Sequence, residues 1–386
     1  MRFVHLSDLH IGKRVNEFSM IEDQRYILDQ IISKIKEEKP DAVLIAGDVY
    51  DKPLPPAEAV RLFDDFIYAL SETGTEVMII SGNHDSAERL SFGSRIMDKR
   101  GIHFAGVYDG ITHKITLTDD HGSVNFYMLP FIKPVHVRAA FPNDEKAQSI
   151  SNFTEAIGYA IEKMDVDTSE RNVLIAHQFV TGALRCESEE VSIGGLDNVD
   201  VEVFKDFDYT ALGHLHGPQS YGASRIRYCG SPLKYSFSEA SQTKSFTIVE
   251  FGAKKDGICK CHLATPELVP LRDMREMKGS FAELTDNDYC EASRKNDYLR
   301  IVLTDEEDII GALQSLRAIY PNIMRLDYDN ERTRASAILP DMSDSDMRTP
   351  IEIFSGFYES QNGKPMDDEQ EKLVSDLIEK VWSDNR

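Results

Sequence analysis

Residues 42–51 read AVLIAGDVYD. An unbroken apolar run ends in a glycine and an aspartate. A continuous run of this kind, bounded by Gly, reads as a strand buried on both faces. The same texture recurs at residues 3–10 (FVHLSDLH), 77–85 (VMIISGNHD), 173–177 (VLIAH) and 209–216 (YTALGHLH). Helical patterns separate the first three runs. Ser19 as N-cap with Glu22 three residues on predicts a capping box. Ile27, Leu28, Ile31, Ile32 and Ile35 then share one face, and Pro40 closes the helix. A second helix is expected over about residues 56–71. Strand and helix alternating in this rhythm predict an α/β fold with parallel strands. From 222 to 264 the helical patterns disappear, and segments such as 245–251 predict antiparallel strands.

The chemistry-bearing residues stand where these runs end. Asp8 and His10 follow the first, Asp48 the second, Asn83, His84 and Asp85 the third, His177 the fourth, His214 and His216 the fifth. Ligands of α/β sheets bind beyond the carboxyl ends of the strands. Glycines precede Asp48, Asn83 and His214, allowing sharp exits and close backbone approach. One Asp or His after a strand is usually a turn or a cap. Five strand ends carrying D-x-H, G-D, G-N-H-D, H and G-H-x-H together point to a metal centre. His5, His103, His113, His121, His136 and His262 lack such a setting and read as ordinary core or surface residues.

The ligand set mixes imidazole, carboxylate and amide oxygen without a thiolate, which speaks against structural zinc. Four imidazoles are too many for an ordinary magnesium or calcium site. Manganese or iron suits mixed nitrogen and oxygen ligation best, with zinc and cobalt as alternatives. The ligands outnumber the needs of one ion. Two ions about 3.5–4 Å apart, sharing a carboxylate, fit better, and Asp48 is central among the motifs.

DLH, GDVYD, GNHD, H and GHLH resemble the five motifs of the calcineurin-like metallophosphoesterase superfamily, in family order. SDLHIGK, EDQRYILDQI, AGDVYD, ISGNHDS, IAHQFV, ALGHLHGPQ and RYCGSPLKYSFSE are similar to its SbcD branch, the nuclease subunits of bacterial SbcCD complexes. The resemblance covers residues 1–250 closely and the remainder more loosely. It implies a two-sheet α/β sandwich over 1–265, a small α+β cap domain over 280–335, a linker over 336–348 and a helical partner-binding tail over 349–386. It implies that Asp8, His10, Asp48 and His216 hold one ion, and that Asp48, Asn83, His177 and His214 hold the other. His84 would contact the scissile phosphate and assist the leaving group, and Asp51 would orient an imidazole from behind. Phosphatases of the superfamily usually have Arg near Asp51 and Lys52 and G-N-H-E at the third motif, from which this chain departs. The activity implied is manganese-dependent cleavage of DNA ends and hairpins (3'-5' exonuclease and endonuclease) in repair, recombination and replication. The partners implied are an SbcC-type coiled-coil ATPase, DNA, and a second copy within a heterotetramer. A phosphomonoesterase or cyclic-nucleotide phosphodiesterase with the same metal site is the alternative.

Composition bounds these readings. The chain has 386 residues and a net charge of −23. So acidic a chain is not held to a polyanion by bulk charge. Two divalent ions against Asp8 and Asp48 would leave a locally positive site. Lys13, Arg14, Arg185 and Lys234 are basic candidates beside it. Five cysteines are too few and scattered for a disulfide framework, and Cys259 and Cys261 read as one strand face. No run approaches the roughly 18–20 apolar residues that span a bilayer, and the first residues suit no signal peptide. A cytoplasmic protein with no membrane partner is expected. No G-x-x-x-x-G-K-[ST] loop occurs, so ATP hydrolysis would fall to the partner. Residues 266–290 lose periodicity, and 298–328 give a compact β-α-β pattern. In the tail, Ile351, Ile353, Phe354, Phe357 and Tyr358, and a stripe over 373–382, form apolar faces suited to a coiled coil.

Overall fold

The computed structural model describes residues 1–189, 198–221, 225–286, 288–289 and 294–330, with 333, 351, 354–356, 358, 365–367, 370–375 and 377 beyond them. Two compact units divide the chain: Met1–Leu303 with Ile309–Asp327, and Thr304–Asp308 with Tyr328–Arg386.

Two six-stranded sheets build the first unit's main body. In the first sheet β1 (Arg2–Leu6), β2 (Ala42–Ala46), β3 (Glu76–Ile80) and β4 (Ile102–Ala105) run parallel. In the second, β5 (His113–Asp119) pairs antiparallel with β6 (Gly122–Met128), which runs parallel to β7 (Arg171–His177). Strand β8 (Tyr209–Gly213) runs parallel to β7, and β9 (Gln219–Tyr221) and β10 (Ile226–Tyr228) complete that sheet. The antiparallel pair β11 (Thr247–Lys255) and β12 (Ile258–Ala264) extends the first sheet beside β1.

The two-fold alternation of each strand explains the unbroken apolar runs. Phe3, Leu44, Ala46, Met78 and Ile80 face inward onto Phe126, Val173, Ile175 and Tyr209 of the second sheet. Val4, Val43, Ile45, Val77 and Ile79 face outward and are covered by α1 (Ile21–Glu38) and α2 (Ala57–Ser71). Helix α3 (Phe153–Glu162) covers the outer face of the second sheet. Both faces of the central strands are therefore dry, as runs without polar breaks require, whereas the outer strands β5 and β12 are largely exposed. Three parallel strands of one sheet and two of the other finish at the same edge of the sandwich, where the motif residues lie.

Several local expectations are corrected. Helix α1 begins at Ile21 with Met20 as its N-cap, and no side chain caps it. Ser19 pairs instead with Arg14 in a short ribbon, and the Glu22 carboxylate is taken by Arg272. A guanidinium outcompetes a lone backbone N–H for a carboxylate. The aperiodic stretch 266–290 contains a strand, β13 (Met274–Gly279). Its MREMKG sequence hides the two-residue period, because only Met274 and Met277 are buried. It opens a three-stranded sheet with β14 (Tyr298–Leu303) and β15 (Ile323–Tyr328), joined by α4 (Ala312–Ile319). Cys259 and Cys261 lie together on β12. The expected linker, 336–348, lies outside the described residues, as do Ile353, Phe357 and much of the stripe over 373–382. Among the described tail residues Phe354, Leu373 and Leu377 are exposed. No helix is long and apolar enough to cross a membrane among the described residues.

Candidate metal centre

The site is assembled from loops that leave the strands abruptly. Asp8, His10 and Asp48 have φ of 53°, 44° and 50°, and His214 has 104°. Non-glycine residues seldom occupy this region, and such strain gathers at functional sites. Backbone bonds lock the first two loops together: Asp8 N–H donates to Gly47 O at 3.1 Å and His10 N–H to Asp48 O at 3.0 Å. A Cβ on Gly82 would overlap the Asp48 carboxylate, and one on Gly213 would overlap the Ala46 carbonyl. These loops pass each other at backbone distance, which only glycine permits.

Asp48 is central. Its Oδ2 lies 3.2 Å from His177 Nε2, 3.8 Å from His10 Nε2 and 4.0 Å from His84 Nε2. Its Oδ1 accepts the His84 N–H at 2.9 Å. Burial disfavours the Asp48 anion, but the surrounding imidazoles, His177 first, hold its carboxyl well below the usual range. His177 shows the other side of that attraction. Burial disfavours its cation, yet Asp48 raises it to about 9. A bound divalent ion would replace that proton between the same two groups. Asn83 Oδ1 receives both His177 Nε2 and His214 Nδ1 at 3.0 Å. Asp8 accepts the His214 N–H at 3.0 Å and the Ser7 hydroxyl. His10 and His216 face each other through their Nε2 atoms at 3.0 Å.

Asp8, His10 and His216 form one group of potential ligands, and Asp8, Asp48 and His177 another. His10, Asp48 and His84 form a third. The donor set fits divalent ions. His214 Nε2 is buried without a partner among the described residues. Burial, with His177 beside it, lowers that imidazole to about 3, so it stays a neutral lone-pair donor. The nearby Cys229 thiol, 3.1 Å from Ser7 Oγ, is pushed up to about 12 by burial and stays protonated. None of the six remaining histidines joins such a group among the described residues.

His84 donates from Nδ1 to the Asp51 carbonyl at 3.0 Å, which turns Nε2 toward Asp48. The Asp51 carboxylate lies 3.9 Å from His10 Nδ1, beyond hydrogen-bond reach, and accepts Lys13 Nζ at 2.7 Å. Of the basic candidates, Lys234 is turned to Asp273 at 2.9 Å and Arg14 to the Glu17 carbonyl. Arg185 lies 3.6 Å over the Phe179 ring, which itself packs on His214.

A second layer of residues holds the ligands from behind. His177 Nδ1 donates to Ala46 O at 2.8 Å, fixing its tautomer. His216 Nδ1 meets Ser188 Oγ at 2.7 Å, and that hydroxyl donates to Glu239 at 2.6 Å. Buried Lys244 binds Glu239 at 2.5 Å and the His216 carbonyl at 2.9 Å. Glu189 accepts the His216 N–H at 2.6 Å. Asp85 accepts three backbone N–H groups, from Val49, Tyr50 and Gly82, and so stitches two loops together. Burial and the Asp48 charge push its carboxyl up to about 6 against those bonds. Asp85, inside G-N-H-D, and Glu239, at the end of RYCGSPLKYSFSE, lay within motif strings, whereas Ser188, Glu189 and Lys244 had no signal in the sequence.

The profile of calcineurin-like phosphoesterases matches residues 1–218. The SbcD C-terminal profile, described as the type 5 capsule protein repressor C-terminal domain, matches residues 270–362. A dimetal phosphatase from Danio rerio is similar in structure at 12% identity, over 70% of this chain and 96% of its own, with a TM-score of 0.40. A protein of Thermus thermophilus is similar at 12% identity over 69% and 99%, with a TM-score of 0.41.

Proposed function

The chain belongs to the calcineurin-like phosphoesterase family, as a subunit of the SbcD type, and from that premise we propose that it is a DNA nuclease. It hydrolyses phosphodiester bonds at double-strand ends and hairpins, with two divalent ions, manganese first, beside an SbcC-type coiled-coil ATPase. The observation that carries this reading is the pairing on one chain of a phosphoesterase metal centre with an SbcD-type C-terminal region. Asp8, His10, Asp48 and His216 would hold one ion, and Asp48, Asn83, His177 and His214 the other. When bound, such ions supply a nucleophilic water at neutral pH and offset charge on phosphoryl oxygens.

The chain's own residues supply the rest. Asp48 sits between the two ligand groups and is kept ionised by its imidazole neighbours. His84, anchored through Nδ1 to the Asp51 carbonyl, presents Nε2 to protonate the departing oxygen. Asp51 keeps Lys13 at the rim, and Arg185 on Phe179 offers a guanidinium plane to a phosphate backbone. The exposed Phe354, Leu373 and Leu377 support the tail as the ATPase-binding element. The domain limits proposed are 1–265 for the nuclease, 280–335 for the cap, 336–348 for the linker and 349–386 for the tail. A homodimer within a heterotetramer is part of the same proposal.

The test is cleavage of a labelled hairpin-ended duplex with manganese, beside para-nitrophenyl phosphate and its bis ester. Wild-type cleavage that falls about 10²–10⁴-fold in His84→Ala supports the nuclease. Hydrolysis of the monoester alone, even with an SbcC-type ATPase added, transfers the chain to the phosphatases.

A further inference from the structure

Three imidazoles next to Asp48 or to each other differ in how their second nitrogen is held. His177 Nδ1 rests on the Ala46 carbonyl at 2.8 Å and His216 Nδ1 on Ser188 Oγ at 2.7 Å. His10 Nδ1 is buried and has no hydrogen-bond partner among the described residues. The usual outer partner that aims a ligating histidine is missing there, so the ring must be aimed through its backbone.

The backbone of that loop is gripped by one side chain from α1. Gln24, 2% exposed, accepts the Gly12 N–H at 2.9 Å on Oε1. Its Nε2 donates to the His10 carbonyl at 2.7 Å and to the Tyr235 hydroxyl at 3.1 Å. Tyr235 in turn donates to the Leu9 carbonyl at 2.5 Å. Leu9, His10 and Gly12 are thus held on both sides of a residue in a strained conformation.

The residue before Gln24 faces the other way. Asp23 is fully buried, and its Oδ2 accepts Arg272 at 2.7 Å and the Tyr298 hydroxyl at 2.7 Å. Its Oδ1 has no partner among the described residues. Arg272 lies two residues before β13, and Tyr298 opens β14. A buried carboxylate with one oxygen unsatisfied costs stability, which helix formation alone does not justify in the first turn of α1. We propose that Asp23 and Gln24 are a positioning pair: the small sheet seats Asp23, and Gln24 passes that seating to His10 and so to the ion it would share with Asp8 and His216. The inference rests on the metal reading of the site, not on DNA as substrate.

The test is manganese binding by the full-length chain, followed by the electron paramagnetic resonance of free Mn²⁺ and checked by bis-para-nitrophenyl phosphate hydrolysis. Gln24→Ala should weaken one of the two ions by about 10–100-fold and leave the other unchanged. Tyr298→Phe removes a donor to Asp23 and not to any ligand, and should weaken the same ion less, leave the other ion unchanged, and cost no more stability than one hydrogen bond. Wild-type binding of both ions in Tyr298→Phe overturns the link to the small sheet. Equal weakening of both ions, in step with lost stability, reduces the pair to scaffold and overturns it too. If Gln24→Ala does not fold, Tyr298→Phe decides alone. A wild-type chain that binds no manganese would instead sink the proposed function, a result separable from either.

Discussion

The two sheets bring their ligands to the same edge by different means. The first sheet aims Asp8, His10 and Asp48 through the backbone: all three have positive φ, and their loops are bonded N–H to carbonyl. The second sheet delivers His177 and His216 in ordinary backbone and aims them through side-chain nitrogens, on Ala46 and on the Ser188–Glu239–Lys244 relay. His214 stands between, with a φ of 104° and its N–H on Asp8. Backbone aiming keeps function and sequence local, and it fails when a loop loses its close approach. Side-chain aiming spreads the same function over distant residues, each of which removes only a part.

That contrast orders the expected effects. Gly82→Ala should be the most severe, because its Cβ would overlap both the Asp48 carboxylate and the Asp48 backbone nitrogen. Metal-dependent hydrolysis of bis-para-nitrophenyl phosphate should disappear, and a variant that keeps its rate would break the backbone half of the comparison. Lys244→Met comes next. It removes the ammonium from buried Glu239 and leaves that carboxylate only hydroxyl and amide donors and the His216 imidazole at 3.5 Å, a change that costs about 3 kcal/mol; urea unfolding of wild type and variant measures it. Ser188→Ala removes only the hydroxyl that bridges His216 and Glu239, which still approach to 3.5 Å. Its ion affinity should fall about 10–100-fold with the fold intact. Titration with manganese that gives the wild-type constant would show that His216 is aimed by its backbone after all.

The same contrast explains what the sequence discloses. The central strands of the sandwich are legible because both faces of each are dry, so Ala42–Ala46 and Glu76–Ile80 announce themselves as apolar runs. The ligands are legible because backbone aiming keeps each within a few residues of its strand end. Ser188 and Lys244 are not: each acts on His216 from 28 residues away, and nothing in its own neighbourhood distinguishes it from an ordinary polar side chain. Gln24 and Glu239 lie inside EDQRYILDQI and RYCGSPLKYSFSE, but those strings disclose a resemblance and not the residue each one holds. Strand β13 is hidden because only Met274 and Met277 of it are buried. The capping box fails for a related reason, since Glu22 answers to Arg272, 250 residues away.

The smallest expected effect concerns the tie between the two sheets. His5 lies on β1, fully buried, and its ring crosses to the second sheet: Nδ1 meets the Tyr209 hydroxyl at 3.0 Å and Nε2 the Leu212 carbonyl at 3.2 Å. The carbonyl requires a proton on Nε2, so Nδ1 accepts from Tyr209 and the ring is neutral. Burial, helped by the Arg227 charge, lowers this imidazole from 6.5 to about 3. The unfolded chain therefore takes up a proton near pH 6.5 that the folded chain refuses until about pH 3. Stability from this group is complete above pH 6.5 and is lost as pH falls through that window, by about 1.4 kcal/mol per unit. Between pH 6.5 and 5 the loss is about 2 kcal/mol. His5→Gln keeps a donor and an acceptor but takes no proton, so its unfolding free energy should fall by about that much less over the same interval. Equal acid losses in the two proteins would show that the sheets part around a charged His5 without penalty, and that the two halves of the site are held together elsewhere.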